Sequence, residues 1–175
     1  RSLHVQNQYQ EIRTPILLHN KLWHQSGHYE HYKDNMYFVS CDKDEYAVKP
    51  MNCPGAFLTY NSRPRSYKEL PLRLAEFGYV HRHELSGTLH GLTRVRAFTQ
   101  DDAHIICLYS QVKNEIKMIF EMIQQVTIKA ELKISKVVLS TKPKNAFGSD
   151  KVWEEAELGL KEALLELRQN FVVAE

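Results

Sequence analysis

No apolar run in this chain of 175 residues approaches the roughly 18 that a membrane-spanning helix requires, so no such span is expected. Cysteine is scarce. Cys41, Cys53 and Cys107 are an odd number at wide spacing, which argues against a disulfide framework and for a reducing compartment. A surplus of either charge is also missing: 23 Lys and Arg against 21 Asp and Glu leave a formal +2. Any contact with nucleic acid is therefore expected to be local. There is no GxxxxGK[ST] phosphate loop, no repeat, no low-complexity segment and no linker between two domains. The opening RSLHVQNQYQ has no signal-peptide apolar core and reads as the end of an element. The expectation is a single domain over residues 1–175, with enough chain for a substantial core.

What is present centres on residues 71–107, PLRLAEFGYVHRHELSGTLHGLTRVRAFTQDDAHIIC, which read as a long hairpin. Arg94, Arg96, Phe98, Gln100, Asp102 and His104 are two apart and fall on one face of a strand. The other face, with Val95, Ala97, Thr99, Ala103 and Ile105, is expected to pack on the core. Arg82 and Glu84 share a face before the turn. The connection 85–93, with Gly87 and Gly91, is longer than ordinary hairpin loops, and loops of that length tend to be functional or disordered.

Elsewhere the pattern predicts the end of a helix over 3–8, a strand over 9–14, and a short helix over 21–26 capped by Asn20 and stopped by Gly27. Strands over 36–41 and 45–48 are joined by the turn CDKD, and a helix covers 55–61. Pro50 and Pro54 hold Met51, Asn52 and Cys53 outside regular structure. An amphipathic helix over 111–130 presents Val112, Ile116, Ile119, Ile123, Val126 and Ala130. Then come a strand over 137–139, a loop TKPKNAFGSD whose Ser149 or Asp150 caps a helix bearing Trp153, Ala156, Leu160, Leu164 and Leu167, and a last strand from Phe171. His24, His28 and His31 have helical spacing, but Gly27 interrupts it, so surface or packing roles are the simpler reading than a metal site.

The chemistry this permits is that of a nucleotide site. Arginines at 82 and at 94 or 96 present forks that match phosphate oxygens, Phe98 offers a stacking surface for a purine, and Glu84 can accept from an exocyclic amine. The same alternation also fits salt bridges on a wet sheet. Cys53 and His104 are zinc-ligand types, yet two so distant in sequence make no zinc signature. Cys53 equally fits a small buried apolar residue.

Arg82-His83-Glu84 followed by a loop and Arg94-Val-Arg-Ala-Phe98 resembles motif 2 of class II aminoacyl-tRNA synthetases, R-x-E then R-x-x-x-F. MNCPG, PLRLAEFG, SGTLHGLTRVRAFTQDDAH and LST-P followed by GSD and W resemble the threonyl-tRNA synthetases within that class, and QEIRTP resembles the end of motif 1, a dimer-interface element. The resemblance implies an α+β fold, an antiparallel sheet flanked by helices, as a C-terminally truncated catalytic core without motif 3, editing domain or anticodon-binding domain. It implies ATP-dependent activation of L-threonine and transfer to the acceptor end of tRNA(Thr), with Mg²⁺ and Zn²⁺. Arg82 would bind the α-phosphate and the amino-acid carboxylate, Arg94 the outer phosphates, Glu84 the adenine amine and Phe98 the ring. Met51, Gln100 and Asp102 would meet threonine. Cys53 and His104 would be two zinc ligands, the third lying beyond residue 175, and His28 would assist at the acceptor-end ribose.

The full-length protein would be a homodimer in the cytoplasm or an organelle, and the stretch alone a poor catalyst. Two other readings compete: a non-catalytic synthetase-like fragment that binds tRNA or a partner, and a class II enzyme for serine or proline. Cys53 and QDDAH speak against the last.

Overall fold

The computed structural model describes residues 1–144, 146 and 148–174, so two residues of the loop predicted before the last long helix, Asn145 and Phe147, lie outside the described set. Contacts group the chain into two compact units, Arg1–Ser66 with Arg73–His104 and Tyr67–Leu72 with Ile105–Glu175.

The first unit holds a short helix α1 (Ser2–Gln6), then β1 (Gln10–Glu11), β2 (Leu17–His19), α2 (Asn20–Gln25) and α3 (His28–Tyr32). β3 (Tyr37–Cys41), β4 (Asp44–Val48) and α4 (Cys53–Tyr60) follow, and then all but the end residues of the long strands β5 (Leu72–His81) and β6 (Ala97–Ile106). β3 and β4 form a tight antiparallel hairpin in which Cys41 faces Asp44, and Asp42 takes the left-handed conformation (φ 53°) that such turns favour. β2 adds to the other side of β4, giving the order β2-β4-β3. Trp23, Met36 and Ala47 are buried over this sheet, with Leu18, Tyr29, Tyr32 and Phe38 packed around them. Gly27, at φ 74°, separates α2 from α3 as the sequence predicts. The N-cap of α2 is His19, whose ring nitrogen accepts from Lys21 N, and not Asn20.

The second sheet has the order β1-β5-β6. β1 runs parallel to β5, Gln10 opposite Leu74, so the sheet is mixed and not wholly antiparallel. The strand expected over 9–14 is only two residues long, because after the Ile12 N–Ala75 O bond (2.8 Å) the chain leaves the ladder and Thr14 N donates to the Glu76 carboxylate (2.8 Å).

Two expectations for the hairpin are corrected. β6 begins at Ala97, so Arg94 and Arg96 lie in the turn before it, where Arg94 bridges His90. The covered face of β6 is also the opposite of the one expected. Phe98, Gln100, Asp102 and His104 are half-buried, while Thr99, Asp101 and Ala103 are exposed. The polar face is covered because Arg82, Asn52 and Phe57 lie against Phe98, Asp102 and His104 respectively.

The second unit contains α5 (Tyr109–Lys129), β7 (Val138–Ser140), α6 (Asp150–Glu166) and β8 (Val172–Ala174), with β7 and β8 paired in parallel. Phe120, Leu139 and Leu164 form its core. The expected stripe on α5 departs at its C-terminal end, where Ile123 and Val126 are 45% and 53% exposed while Phe120 is buried. Ser149 caps α6 through its hydroxyl, which accepts from Val152 N. Gly159 lets α5 approach, since a methyl there would meet Val112 at 3.2 Å.

Candidate functional site

The segment 49–53 is held from both sides in the first unit. Lys49 is almost fully buried, and its ammonium donates to Thr14 Oγ1 (2.8 Å) and to Glu76 Oε1 (2.9 Å). Thr14 Oγ1 also donates to the same carboxylate at 3.0–3.1 Å. Three residues on, Asn52 is buried and its amide nitrogen donates to Asp102 Oδ2 (3.1 Å). Between these anchors the Pro50 carbonyl accepts from Arg82 Nε (3.2 Å), and Met51 Sδ lies 3.2 Å from His28 Nε2. The segment is thus preorganised by a buried cation, a buried amide and two prolines. Cys53 is not outside regular structure as predicted: it opens α4, with Pro54 in the first turn, where a missing amide costs nothing.

A cleft of roughly 380 Å³ is lined by Arg82, Glu84, Leu92, Thr93, Arg94, Val95 and Phe98. It brings together four residues singled out in the sequence. The Arg82 guanidinium lies 5.1 Å from the Phe98 ring centre and 6.0 Å from that of Tyr32. Arg94 donates through Nε and Nη2 to Glu84 Oε2 at 3.1 and 3.0 Å. Arg96 turns to the Glu84 carbonyl and Ser86 Oγ, which ties the base of the 85–93 loop.

Further along the same face of β6 stand Gln100, Asp102 and His104. His104 packs edge-on against Phe57, one turn after Cys53 on α4 (ring centres 5.9 Å apart). Burial pushes the Cys53 thiol above its ordinary value, and the Asp102 charge adds to that. Cys53, Asp102 and His104 thus form one neighbourhood, but among the described residues no three His, Cys, Asp or Glu side chains group closely enough to hold a metal. His24, His28 and His31 do not converge: His24 pairs with Glu30, whereas His28 turns to Ser26 and Met51. Burial pulls His28 below its ordinary 6.5, opposed by a hydrogen bond that the ring donates to the Ser26 backbone, so the balance favours the neutral ring.

Sequence reasoning passed over Thr14, Lys49, Asn52, Glu76 and Gly78. The available signal was Glu76 itself, a carboxylate inside the apolar run LRLAEFG, where a buried charge demands a partner. Its partner, 27 residues away, carried no local mark.

Residues 37–158 match the family model for the tRNA synthetase class II core domain (G, H, P, S and T). The whole chain is 52% identical to the threonine–tRNA ligase of Clostridium botulinum and 53% identical to that of Syntrophomonas wolfei, covering 27% of each. The chain thus spans about a quarter of the length of these curated relatives. A solved structure described as the RNA binding domain of threonyl-tRNA synthetase from Cryptosporidium parvum superposes with a TM-score of 0.95 at 38% identity, covering 99% of this chain and 43% of that one. With a matching family model over most of its length, the chain belongs to the class II tRNA synthetase core-domain family, and along its whole length it is similar to threonine–tRNA ligases.

Proposed function

We propose that this chain is part of the catalytic core of a threonine–tRNA ligase, which converts L-threonine and ATP to threonyl-adenylate and pyrophosphate and then passes the threonyl group to the acceptor end of tRNA(Thr). The observation that carries the reading is the convergence of Arg82, Glu84, Arg94 and Phe98 on one cleft, with Asp102 and His104 further along the face of β6 that carries Phe98 and Cys53 at the start of α4.

In the first step the threonine carboxylate attacks the α-phosphorus of ATP, the bond to the bridging oxygen breaks, and pyrophosphate leaves. Arg82 neutralises charge on the α-phosphate, its side chain already fixed by the Pro50 carbonyl and the Phe98 ring. Phe98 stacks on adenine, Glu84 accepts from its amine, and Arg94 leaves Glu84 to grip the outer phosphates with Mg²⁺. In the second step a ribose hydroxyl attacks the threonyl carbonyl and AMP departs. His28, neutral because it is partly buried, sits beside Met51 and accepts the hydroxyl proton.

Cys53 and His104 would hold Zn²⁺, with the third donor supplied from outside the described residues. Their donor types and shared neighbourhood fit the metal. A zinc ion held there would supply Lewis acidity for which a hydroxyl-bearing amino acid is the better ligand than valine, whereas an apolar pocket separates threonine from valine only about a hundredfold. Asp102 and Gln100 complete the threonine end. The loop 85–93, whose Leu85 and Leu92 are 68% and 98% exposed, meets the acceptor end of the tRNA. We place the full-length protein as a cytoplasmic homodimer, with this stretch as one truncated core.

The test is threonine-dependent ATP–pyrophosphate exchange by a full-length synthetase carrying this stretch. Arg82→Ala should lower exchange by about 10²–10³-fold, the scale for removing one preorganised charge-stabilising donor. Absence of exchange in the parent defeats the reading, and undiminished exchange in the variant removes Arg82 from its role.

A further inference from the structure

Asn52 sits between two residues with assigned roles, Met51 and Cys53, yet its own side chain faces neither solvent nor the cleft. It is 1% exposed. Its amide nitrogen donates to Asp102 Oδ2 at 3.1 Å, and its Oδ1, also buried, has no hydrogen-bond partner among the described residues. Turning the amide over would set Oδ1 against the carboxylate, oxygen against oxygen, so the contact fixes which end faces Asp102.

The backbone opposite is cut to fit. A Cβ at Gly78, in β5, would lie 2.2–2.4 Å from the Oδ1, Nδ2 and Cγ atoms of Asn52. Glycine is required here for space and not for a left-handed turn, because the Asn52 amide occupies the place a Cβ would take. The amide therefore has one place to lie and one partner to donate to. Asp102, half-buried on the site face of β6, has Oδ2 engaged by Asn52, while Oδ1 has no hydrogen-bond partner among the described residues.

We propose that Asn52, cradled by Gly78, is a positioning residue for the amino-acid subsite: it locks the Asp102 carboxylate in one rotamer so that a single oriented oxygen is offered to the amine or hydroxyl of the substrate. The proposal rests on the threonine-activation reading and deepens it, because it assigns the control of amino-acid recognition to a residue that touches no substrate. A hydrogen bond to a charged group contributes about 1.5–3 kcal/mol, which corresponds to roughly 10- to 150-fold in affinity. The effect should fall on threonine and spare ATP, whose cleft is built from Arg82, Glu84, Arg94 and Phe98.

The experiment measures pyrophosphate exchange with threonine and ATP varied separately, in a full-length synthetase carrying this stretch. Asn52→Ala should raise KM for threonine about 10-fold or more and leave KM for ATP within about twofold. The isosteric Asn52→Asp, which keeps the volume and faces Asp102 with a second carboxylate, should lose more. It also serves if Asn52→Ala fails to fold. In an Asp102→Ala background, Asn52→Ala should add almost nothing, since coupled residues are not additive. Equal loss for threonine and ATP, or full additivity with Asp102→Ala, would make Asn52 a structural residue only and overturn the inference while leaving the functional reading intact. No exchange in the parent would remove both.

Discussion

The Lys49 ammonium and the Glu76 carboxylate are 2.9 Å apart with side chains only 1% and 6% exposed. A pair so thoroughly removed from water survives only because Thr14 fills the remaining valences of both partners. Removing one partner strands the other: Glu76→Ala should destabilise the protein by about 3–5 kcal/mol in urea unfolding, and a loss below about 1 kcal/mol would refute the reading. The double replacement Lys49→Met with Glu76→Leu should recover much of that loss, because no charge is left buried.

Gly55 and Gly87 should respond oppositely to alanine. A methyl at Gly55 would sit 2.9 Å from Thr14 Cβ, whose side chain is locked by Lys49 and Glu76, while one at Gly87 meets nothing within 4 Å. Gly55→Ala should cost about 1–3 kcal/mol, as overpacking does, and Gly87→Ala should be nearly neutral. Equal melting temperatures for the two would contradict the steric account.

Glu84 and Arg94 should separate stability from binding. Their ion pair is exposed on the arginine side (57%), so Glu84→Gln should change stability by less than about 1 kcal/mol. The same variant should weaken ATP in the exchange assay by about tenfold, the scale of one lost hydrogen bond to a developed site. An unchanged KM for ATP would remove Glu84 from adenine recognition.

Acid should report on the contact between α5 and α6. Glu166 accepts from Lys113 and Lys117, both at 2.8 Å, and these two cations hold its carboxyl at about 2 against an ordinary 4.5. A depressed carboxyl stabilises the fold above its unfolded value, and that contribution disappears as pH falls from 4.5 through about 2. Glu166→Gln should therefore show a shallower loss of stability across that window than the parent. The difference at pH 7 should shrink at 1 M salt, since the pairs are exposed. Parallel pH curves would sink the assignment.

Zinc content offers a direct check on Cys53. Metal analysis of a full-length synthetase carrying Cys53→Ser should find markedly less zinc than in the parent. Equal zinc would leave Cys53 as a small buried side chain.

Local signals were readable in the sequence. Gly27 stopped α2, the CDKD turn closed β3 on β4, and the spacing of Leu160, Leu164 and Leu167 gave the buried side of α6. The spacing of Phe98, Gln100, Asp102 and His104 told which residues share a face of β6 but not which face is covered. Period-two alternation is symmetric, and Arg82, Asn52 and Phe57 that cover that face come from other elements. Lys49 and Asn52 were illegible for the same reason. Lysine and asparagine are ordinarily surface residues, and what buries them lies 27 and 50 residues away.

The parallel pairing of β1 with β5 has a kinetic consequence. It joins Gln10 to Leu74, and the adjoining bond from Thr14 to Glu76 spans 62 residues, whereas β3 meets β4 across a two-residue turn. Closing the longer loop costs chain entropy before any contact repays it, so the β3–β4 hairpin is expected to form early and the β1–β5 ladder late. Until that ladder closes, Lys49 and Glu76 should stay hydrated, and Arg82, one residue past β5, should have no fixed Pro50 carbonyl to meet. The candidate site should thus be among the last parts of the molecule to assemble, and substitutions at Thr14 or Glu76 should speed unfolding far more than they slow folding.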